Sequence, residues 1–354
     1  PTSYLIKMIK LKISKKIIIN PDKNILYTMK KINEEKHYFL LVVKQNRLLG
    51  TVSDGDIRRA ILRGAELSDN VSTCMNKNPV TAKIQNKQNL LKILKSVPSF
   101  KKFLPVVDNK NLLRFVLVEE EQNLYKVALI MAGGFGTRLG DKTRKTPKPL
   151  LKVTKKPMLE LLLEKLEKTN YEKIFVSTHY LHDKIEKFIK KRNSSNDIET
   201  LMEKKPLGTA GSINKLKHLN FDILTVVNGD IVTDIDFESL NLFHIEKGND
   251  ITVTVAKHSM QIPYGVINFD EHQNFTGLKE KPNVFNYVLS GIYCLNKEIV
   301  KSVENKKIDM PNIIQKSYEA GKKIGIFPIY EYWKDVGNTK DYNLVNKERN
   351  LNKI

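Results

Sequence analysis

The sequence predicts an α/β protein in two parts. A C-terminal part (123–354) is built on a mixed, mostly parallel sheet with helices on both faces, and a smaller α+β part (1–122) precedes it. Three observations carry this. From Lys126 onward, short apolar runs alternate with helical periodicity, as in a sheet whose strands are covered on both faces. Residues 1–122 hold two similar units, about 10–66 and 70–122, and internal repetition of this kind organises a domain. The length, 354 residues, exceeds what a single core usually sustains.

In the first unit the pattern predicts a helix over 25–33 and strands over 39–43 and 49–52 around a turn at Gln45-Asn46. A polar turn, Ser53-Asp54-Gly55-Asp56, then opens a helix over 57–63. The second unit starts at Val71-Ser72-Thr73-Cys74-Met75. It has a helix over 90–97 and strands over 103–107 and 112–118 around Asp108-Asn109-Lys110. The acidic stretch 119–123 reads as the boundary. Beyond it, a strand over 127–131 runs into Gly133-Gly134, and a helix follows over 158–166 with Pro157 near its first turn. Strands at 173–178, 198–202 and 223–227 interleave with helices at 183–191, 208–217 and 237–246. After Asp250 strands dominate (251–256, 265–269, 288–294), then helices over 297–303 and 311–320, a strand over 323–328 and a helix over 339–349.

Composition narrows the function classes. Sixty basic against 39 acidic residues give a net charge of +21, which suggests a polyanionic partner. Only nine of the sixty are Arg, however, and Arg is the usual reader of bases and bidentate binder of phosphate. A lysine excess scattered along the chain reads as a solvated surface, so no nucleic-acid partner is expected. The excess is uneven: 1–122 carries +12 and the longer remainder +9. No apolar run approaches the ~20 residues of a membrane helix, and residues 1–16 lack the continuous apolar core of a secretory signal. Two distant cysteines, Cys74 and Cys294, point to neither a disulfide framework nor a zinc site, and to a reducing, cytoplasmic setting.

The chemistry concentrates in one segment, Ala132-Gly133-Gly134-Phe135-Gly136-Thr137-Arg138-Leu139, placed after a strand where a phosphate loop belongs. It fails the dinucleotide pattern, with Leu139 where a third glycine would stand, and it fails the P-loop for want of Gly-Lys-Ser/Thr. A tight turn without ligand is the plain alternative, and Arg138 favours phosphate. Ten residues on, Pro147 and Pro149 flank Lys148 and hold it in an extended segment. Pro206-Leu207-Gly208-Thr209-Ala210-Gly211-Ser212 has small residues that would let a planar ring approach the backbone, with ordinary helix capping as the alternative. Val226-Val227-Asn228-Gly229-Asp230 ends a strand with a carboxylate, where open α/β sheets bind ligands, and Trp333-Lys334-Asp335-Val336-Gly337 supplies a second Asp. His179 and His182 open a helix, but no third ligand is evident, and a surface helix is the better reading.

With Tyr264-Gly265-Val266, Glu280-Lys281-Pro282 and Ser290-Gly291-Ile292-Tyr293, this ordered set makes residues 126–345 closely resemble the sugar-1-phosphate nucleotidyltransferases, with their Rossmann-like, GT-A-type fold. Residues 1–122 resemble a tandem pair of CBS domains, on Gly50-Thr51-Val52-Ser53-Asp54-Gly55-Asp56-Ile57-Arg58. The two in this order resemble a bacterial group that makes GDP-glucosamine for legionaminic acid and flagellin or surface glycans. The resemblance implies roles residue by residue. Ala132, Gly133, Gly134, Gly136 and Thr137, with Arg138, would hold a nucleoside triphosphate, GTP by preference. Lys148 would sit on the attacked phosphate, Gly208 and its neighbour Thr209 would border the base, and Glu203 would be a further nucleotide-binding residue. Asp230 and Asp335 would bind Mg²⁺. Tyr264, Gly265, Glu280, Lys281 and Ser290 would hold the sugar 1-phosphate. In the first CBS unit Ser53 and Asp56 would take a regulatory nucleotide; the second has Arg114-Phe115-Val116-Leu117-Val118 and lacks the matching Gly, hydroxyl and Asp. At most one such site is implied, beside a structural or dimerising role, and a homo-oligomer is expected. Two rivals stand: a non-catalytic subunit that binds nucleotide sugars, and a nucleic-acid binder driven by charge.

Overall fold

The computed structural model describes residues 8–351, apart from 36, 37, 85, 86, 98–101, 111, 120–123, 170, 193 and 195. Most of the expected boundary stretch 119–123, and the first seven residues of the segment tested for a signal, thus lie outside the described residues. The chain divides into two compact units, one comprising 1–124 with 236–249, the other 125–235 with 250–354.

The first unit shows the repeat directly. One copy runs β1 (Met8–Lys12), β2 (Ile18–Ile19), α1 (Ile25–Glu35), β3 (Phe39–Lys44), β4 (Arg47–Ser53) and α2 (Asp54–Leu62); the next runs β5 (Ala82–Lys83), α3 (Lys87–Ser96), β6 (Phe103–Val107) and β7 (Leu113–Glu119). In each a two-residue strand pairs in parallel with the strand after the helix, and that strand turns back antiparallel into the last one. The β3–β4 turn is tight: Gln45 and Asn46 both have left-handed φ, as a two-residue hairpin requires. The strand β1 was not expected. It pairs antiparallel with β7, Met8 opposite Glu119 and Lys12 opposite Phe115, and so joins the sheet of the second repeat. Five residues of alternating Lys and apolar side chains carry too little pattern to declare a strand before the partner is known. Ile17, Phe39, Leu41, Val43 and Val116 form a shared core, where the rings of Phe39 and Phe103 stack at 3.9 Å.

The second unit follows as β8 (Lys126–Met131), α4 (Asp141–Arg144), β9 (Lys152–Val153), β10 (Lys156–Pro157), α5 (Met158–Glu167), β11 (Lys173–Thr178), α6 (His182–Lys190), β12 (Asp197–Met202), β13 (Ile223–Asn228) and β14 (Ile231–Thr233). The helix α7 (Phe237–Lys247) groups with the first unit. Then come β15 (Ile251–Gln261), β16 (Val266–Phe269), β17 (Phe275–Lys279), β18 (Asn283–Asn296), α8 (Lys297–Ser302), α9 (Met310–Glu319), β19 (Ile324–Ile329), β20 (Trp333–Asp335) and α10 (Thr339–Leu351). Seven strands form one sheet, ordered β12-β11-β8-β13-β18-β15-β19. All its pairings are parallel except the two made by β18, so the sheet is mixed and mostly parallel, as the alternation implied. Residues 127–130 of β8 are all buried, which is why that strand reads as a continuous apolar run. One face of the sheet is closed by Ala210, Ile213, Leu216, Ile299, Val300, Met310 and Ile313.

Two local expectations fail. The segment 208–217 is not an α-helix: a turn through Gly208 leads into a 3₁₀ helix, Gly211–Leu216. A Cβ on Gly211 would lie 2.7 Å from both the Leu207 Cβ and the Lys306 carbonyl oxygen, so a neighbouring loop sets the backbone here rather than helical propensity. Lys148 is not extended; it begins a 3₁₀ turn, Lys148–Leu150, after an extended Pro147. The strands β15 and β18 also run further than expected. Their exposed outer halves pair with each other, Lys257 with Tyr287 and Gln261 with Asn283; polar and apolar residues are mixed there, so a search for buried apolar runs does not detect them.

Candidate active site

The glycine loop leaves the C-terminal end of β8, at the middle of the sheet. It is fixed by backbone bonds to its neighbours: Ala132 N donates to the Ser177 carbonyl (2.8 Å), and Gly229 N donates to the Met131 carbonyl (2.9 Å). Gly136 has φ +68, and a Cβ there would meet Thr143 Cγ2 at 2.9 Å and Lys148 Cβ at 3.1 Å. A side chain would therefore push Lys148 away. Thr137–Leu139 form a short 3₁₀ turn that carries Arg138 on the surface, while Leu139 anchors it in a core with Val153, Met158 and Val336.

Asp230 and Asp335 are 105 positions apart in the chain and are brought together by a two-strand ladder. Here β14 pairs antiparallel with β20, Ile231 facing Asp335, and Val336 N donates to the Asp230 carbonyl (3.0 Å). The indole Nε1 of Trp333 donates to the Ser290 carbonyl (2.8 Å), tying β20 to β18. Lys148 is only 7% exposed, and its Nζ lies 2.5 Å from Asp230 Oδ2. Asp335 keeps one side in solvent, yet partial burial and then the charge of Asp230 push its carboxyl up to about 6, against the pull of Lys148 and Arg138. Two carboxylates crowded enough to hold a proton back are a site that gains from a cation. The donor set fits Mg²⁺, which takes one or two protein carboxylates and leaves its other positions to water and substrate phosphate. Among the described residues no group of three or more His, Cys, Asp or Glu is placed to hold a metal.

A cleft of about 240 Å³ is lined by Gly133, Lys148, Glu203, Gly208, Thr209 and Asp230, among others, and so gathers the glycine loop, the lysine and the 206–211 loop. Glu203 is buried, with one carboxylate oxygen accepting from the Ser177 hydroxyl and the other from Leu207 N (3.0 Å). Asn228, next to Gly229-Asp230, has its side-chain oxygen buried with no hydrogen-bond partner. Asn228 and Trp333 stand inside quoted motifs without an expected role, and Ser177 stands in none; the contacts of Ser177 and Trp333 depend on strand pairing that one motif alone does not encode.

The sugar-side residues behave differently. Tyr264 is 73% exposed, and Glu280 and Lys281 are also exposed. A Cβ on Gly265 would lie 3.1 Å from Glu280 Oε2, so these two motifs do meet beside the hairpin β16–β17. Lys281 holds a left-handed φ of +44. None of the four borders the nucleotide-side cleft. Ser290 is 1% exposed with its hydroxyl bonded to Thr254, so it points into the sheet's interior. The two histidines are separately engaged: His182 Nδ1 with the Thr178 hydroxyl and His179 Nδ1 with the Glu203 carbonyl, both at 2.8 Å.

In the first unit, Ser53 and Asp56 form a capping box at the start of α2. Asp56 Oδ2 accepts from Ser53 N (2.8 Å) and from its hydroxyl (2.7 Å), Asp56 N donates back to the hydroxyl oxygen (3.3 Å), and Arg59 pairs with the other carboxylate oxygen. Both line a cleft of about 310 Å³ with Thr51, Asn76 and Phe103.

Comparison with known proteins decides the family. The description of the nucleotidyl transferase family matches residues 127–350, well over half of the chain. The chain belongs to the nucleotidyl transferase family. Residues 9–63 match the CBS domain. Among curated proteins, the mannose-1-phosphate guanylyltransferase catalytic subunit beta of Drosophila melanogaster is 30% identical over 222 residues, covering 61% of this chain and 60% of that protein. A putative mannose-1-phosphate guanyltransferase of Sulfolobus acidocaldarius is 31% identical over 226 residues, 62% of each. The chain thus spans about three fifths of the length of these relatives. In three dimensions, HddC from Yersinia pseudotuberculosis superposes with a TM-score of 0.51 at 25% identity, covering 64% of this chain and all of that one. The nucleotidyl transferase part therefore has known counterparts in sequence and in fold, and these counterparts span 61–64% of the chain.

Proposed function

We propose that the chain is a sugar-1-phosphate nucleotidyltransferase that uses Mg²⁺ and GTP to make a GDP-sugar and pyrophosphate. The observation that carries this is the convergence of Arg138, Lys148, Asp230 and Asp335 at the mouth of a glycine loop, where the chain also matches the family. A sugar phosphate oxygen attacks the α-phosphorus of the triphosphate in line, the bond to the β-phosphate bridging oxygen breaks, and pyrophosphate leaves. The attacking dianion is already ionised at neutral pH, so the reaction needs no general base, and no catalytic histidine is assigned. What it needs is alignment and cancellation of repulsion between two polyanions. The amides of 133–137 and Arg138 would receive the triphosphate, and Lys148 the α-phosphate. Lys148 is held by Asp230 in the resting site, so its ammonium is already aimed at the cleft. Asp230 and Asp335 would hold Mg²⁺, which when bound neutralises phosphate charge. Glu203, Gly208 and Thr209 would border the base, and Tyr264, Gly265, Glu280 and Lys281 the sugar phosphate.

GTP is favoured because the curated relatives named above are guanylyltransferases. For the sugar, the order of a CBS part before the nucleotidyltransferase supports glucosamine 1-phosphate and a legionaminic acid pathway in the cytoplasm. The relatives' own substrate, mannose 1-phosphate, is the second reading. The first unit, read as a CBS pair, would take a regulatory nucleotide at Ser53 and Asp56, in a homo-oligomer with neither nucleic-acid nor membrane partners. Among the described residues no helix is long and apolar enough to cross a membrane. Asp230→Asn and Asp335→Asn should each lower pyrophosphate release at least about a thousandfold. Near-normal turnover of either variant at low Mg²⁺ would remove the metal assignment.

A further inference from the structure

The 206–211 loop is shaped from outside by the segment that opens α9. Ile308 N donates to the Leu207 carbonyl (3.0 Å), and Ala210 N donates to the Ile308 carbonyl (3.1 Å), a short ladder between segments a hundred positions apart. Asp309 is the N-cap residue of α9, with the extended backbone of that position, yet its side chain does not cap its own helix. A capping aspartate normally accepts from the second or third amide of its helix. Asp309 Oδ1 instead accepts from Thr209 N (2.8 Å) and from the Thr209 hydroxyl (3.2 Å). The Thr209 hydroxyl oxygen in turn accepts from Met310 N (3.0 Å), the first amide of α9. Thr209 thus caps α9 in place of Asp309, and Asp309 holds the Thr209 amide. Between them Gly208 sits at φ +79, and a Cβ there would lie 2.6 Å from both Asp309 Oδ1 and the Ile308 carbonyl oxygen. Gly208 and Thr209 line the nucleotide-side cleft; Asp309 does not.

We propose that Asp309 is the positioning residue of the nucleotide loop, holding Gly208 and Thr209 in the one conformation that presents their backbone to the base of the triphosphate. This rests on reading the cleft as the nucleotide site. An acceptor bound to the Thr209 amide fixes that peptide's orientation, and Glu203 fixes the near end of the loop through Leu207 N. Without Asp309 the Thr209 amide loses its acceptor, and the loop must be ordered by the nucleotide itself, at a cost in affinity. Asp309 is exposed, so its replacement leaves no buried void.

The test compares Asp309→Ala and Asp309→Asn in the full chain. Asparagine keeps an oxygen that can accept from Thr209 N; alanine does not. Asp309→Ala should raise KM for GTP about tenfold while leaving kcat and KM for the sugar phosphate within about twofold, and Asp309→Asn should restore KM for GTP to within about threefold of the native value. Hydrogen exchange at the Thr209 amide, which needs no substrate, should speed up about tenfold or more in the alanine variant and not in the asparagine variant. Unchanged exchange in Asp309→Ala overturns the clamp. An unchanged KM for GTP, or equal losses for both substrates, overturns its role in placing the nucleotide. A native chain inert with every triphosphate defeats the functional reading instead, and the exchange result then decides the clamp alone.

Discussion

At the scale of single residues, the proposed site is built on two carboxylates, Asp230 and Asp335, and crowding holds a proton on the second. Asp335 is pushed up to about 6 from the ordinary 3.8, by partial burial and by Asp230. The sign follows directly. A raised carboxyl pKa means that the metal-free fold prefers the protonated form, so a bound metal must displace a proton below about pH 6 and none above it. Affinity for Mg²⁺, followed by thermal shift, should be flat between about pH 7 and 8 and fall by up to about tenfold per pH unit below 6. A constant affinity down to pH 5 would mean that Asp335 is not a ligand. The proposed chemistry asks for residue types that can be picked out in a sequence, namely hard oxygen donors at strand ends, a lysine, and an arginine beside glycines, whereas the meeting of Lys148 with Asp230 belongs to the fold. Ser290 shows what a motif leaves out. Its motif placed it among the sugar-side residues, whereas the hydroxyl is spent on Thr254 inside the sheet, and a hydroxyl's direction depends on the strand's register, which is not written in the motif.

Among the elements, long apolar runs announced themselves and short connecting pieces did not. β11 and β6 fall where the alternation put them, and the two repeated units share one topology. The ladder β14–β20, three residues a side, was invisible, although it brings Asp230 to Asp335. Three-residue strands have no readable period; only the pairing defines them. Residues 208–217 misled for a related reason, since small, helix-compatible residues there serve a turn fixed by the 306–310 segment. Another long-range anchor makes a prediction about stability. Arg192, just beyond α6, forks onto Glu160 and Glu167 of α5, with N–O distances of 2.9 and 2.7 Å, and its side chain is 12% exposed. Removing it leaves Glu160 and Glu167, both partly buried, without that cation, Glu167 keeping the Ser194 hydroxyl, so Arg192→Ala should lower stability to chemical denaturation by about 3 kcal/mol. A loss below about 0.5 kcal/mol would place this fork among the surface ion pairs that contribute little.

For the whole molecule, the net charge of +21 proves a poor guide to where the chemistry lies. The proposed site uses Arg138, Lys148 and Lys281 of sixty basic residues, and most of the excess is solvated surface that can draw anionic substrates in. Among the described residues of 1–122 the basic excess is not gathered at their cleft either, where Asp54 and Asp56 stand beside Arg59 and are paired with Arg58 and Arg59. If that cleft takes a nucleotide, millimolar adenine or guanine nucleotides should raise the melting temperature of a full-length Lys148→Ala variant, whose catalytic cleft is weakened, by at least about 2 °C. No shift would leave the first unit a structural or dimerising part. The central claim is tested most directly by measuring pyrophosphate release with Mg²⁺ for each of the four ribonucleoside triphosphates against glucosamine, mannose and glucose 1-phosphates. The account predicts release with GTP and at least one of these sugar phosphates, abolished in Asp230→Asn; no release from any pairing by a folded, Mg²⁺-supplied chain would contradict it.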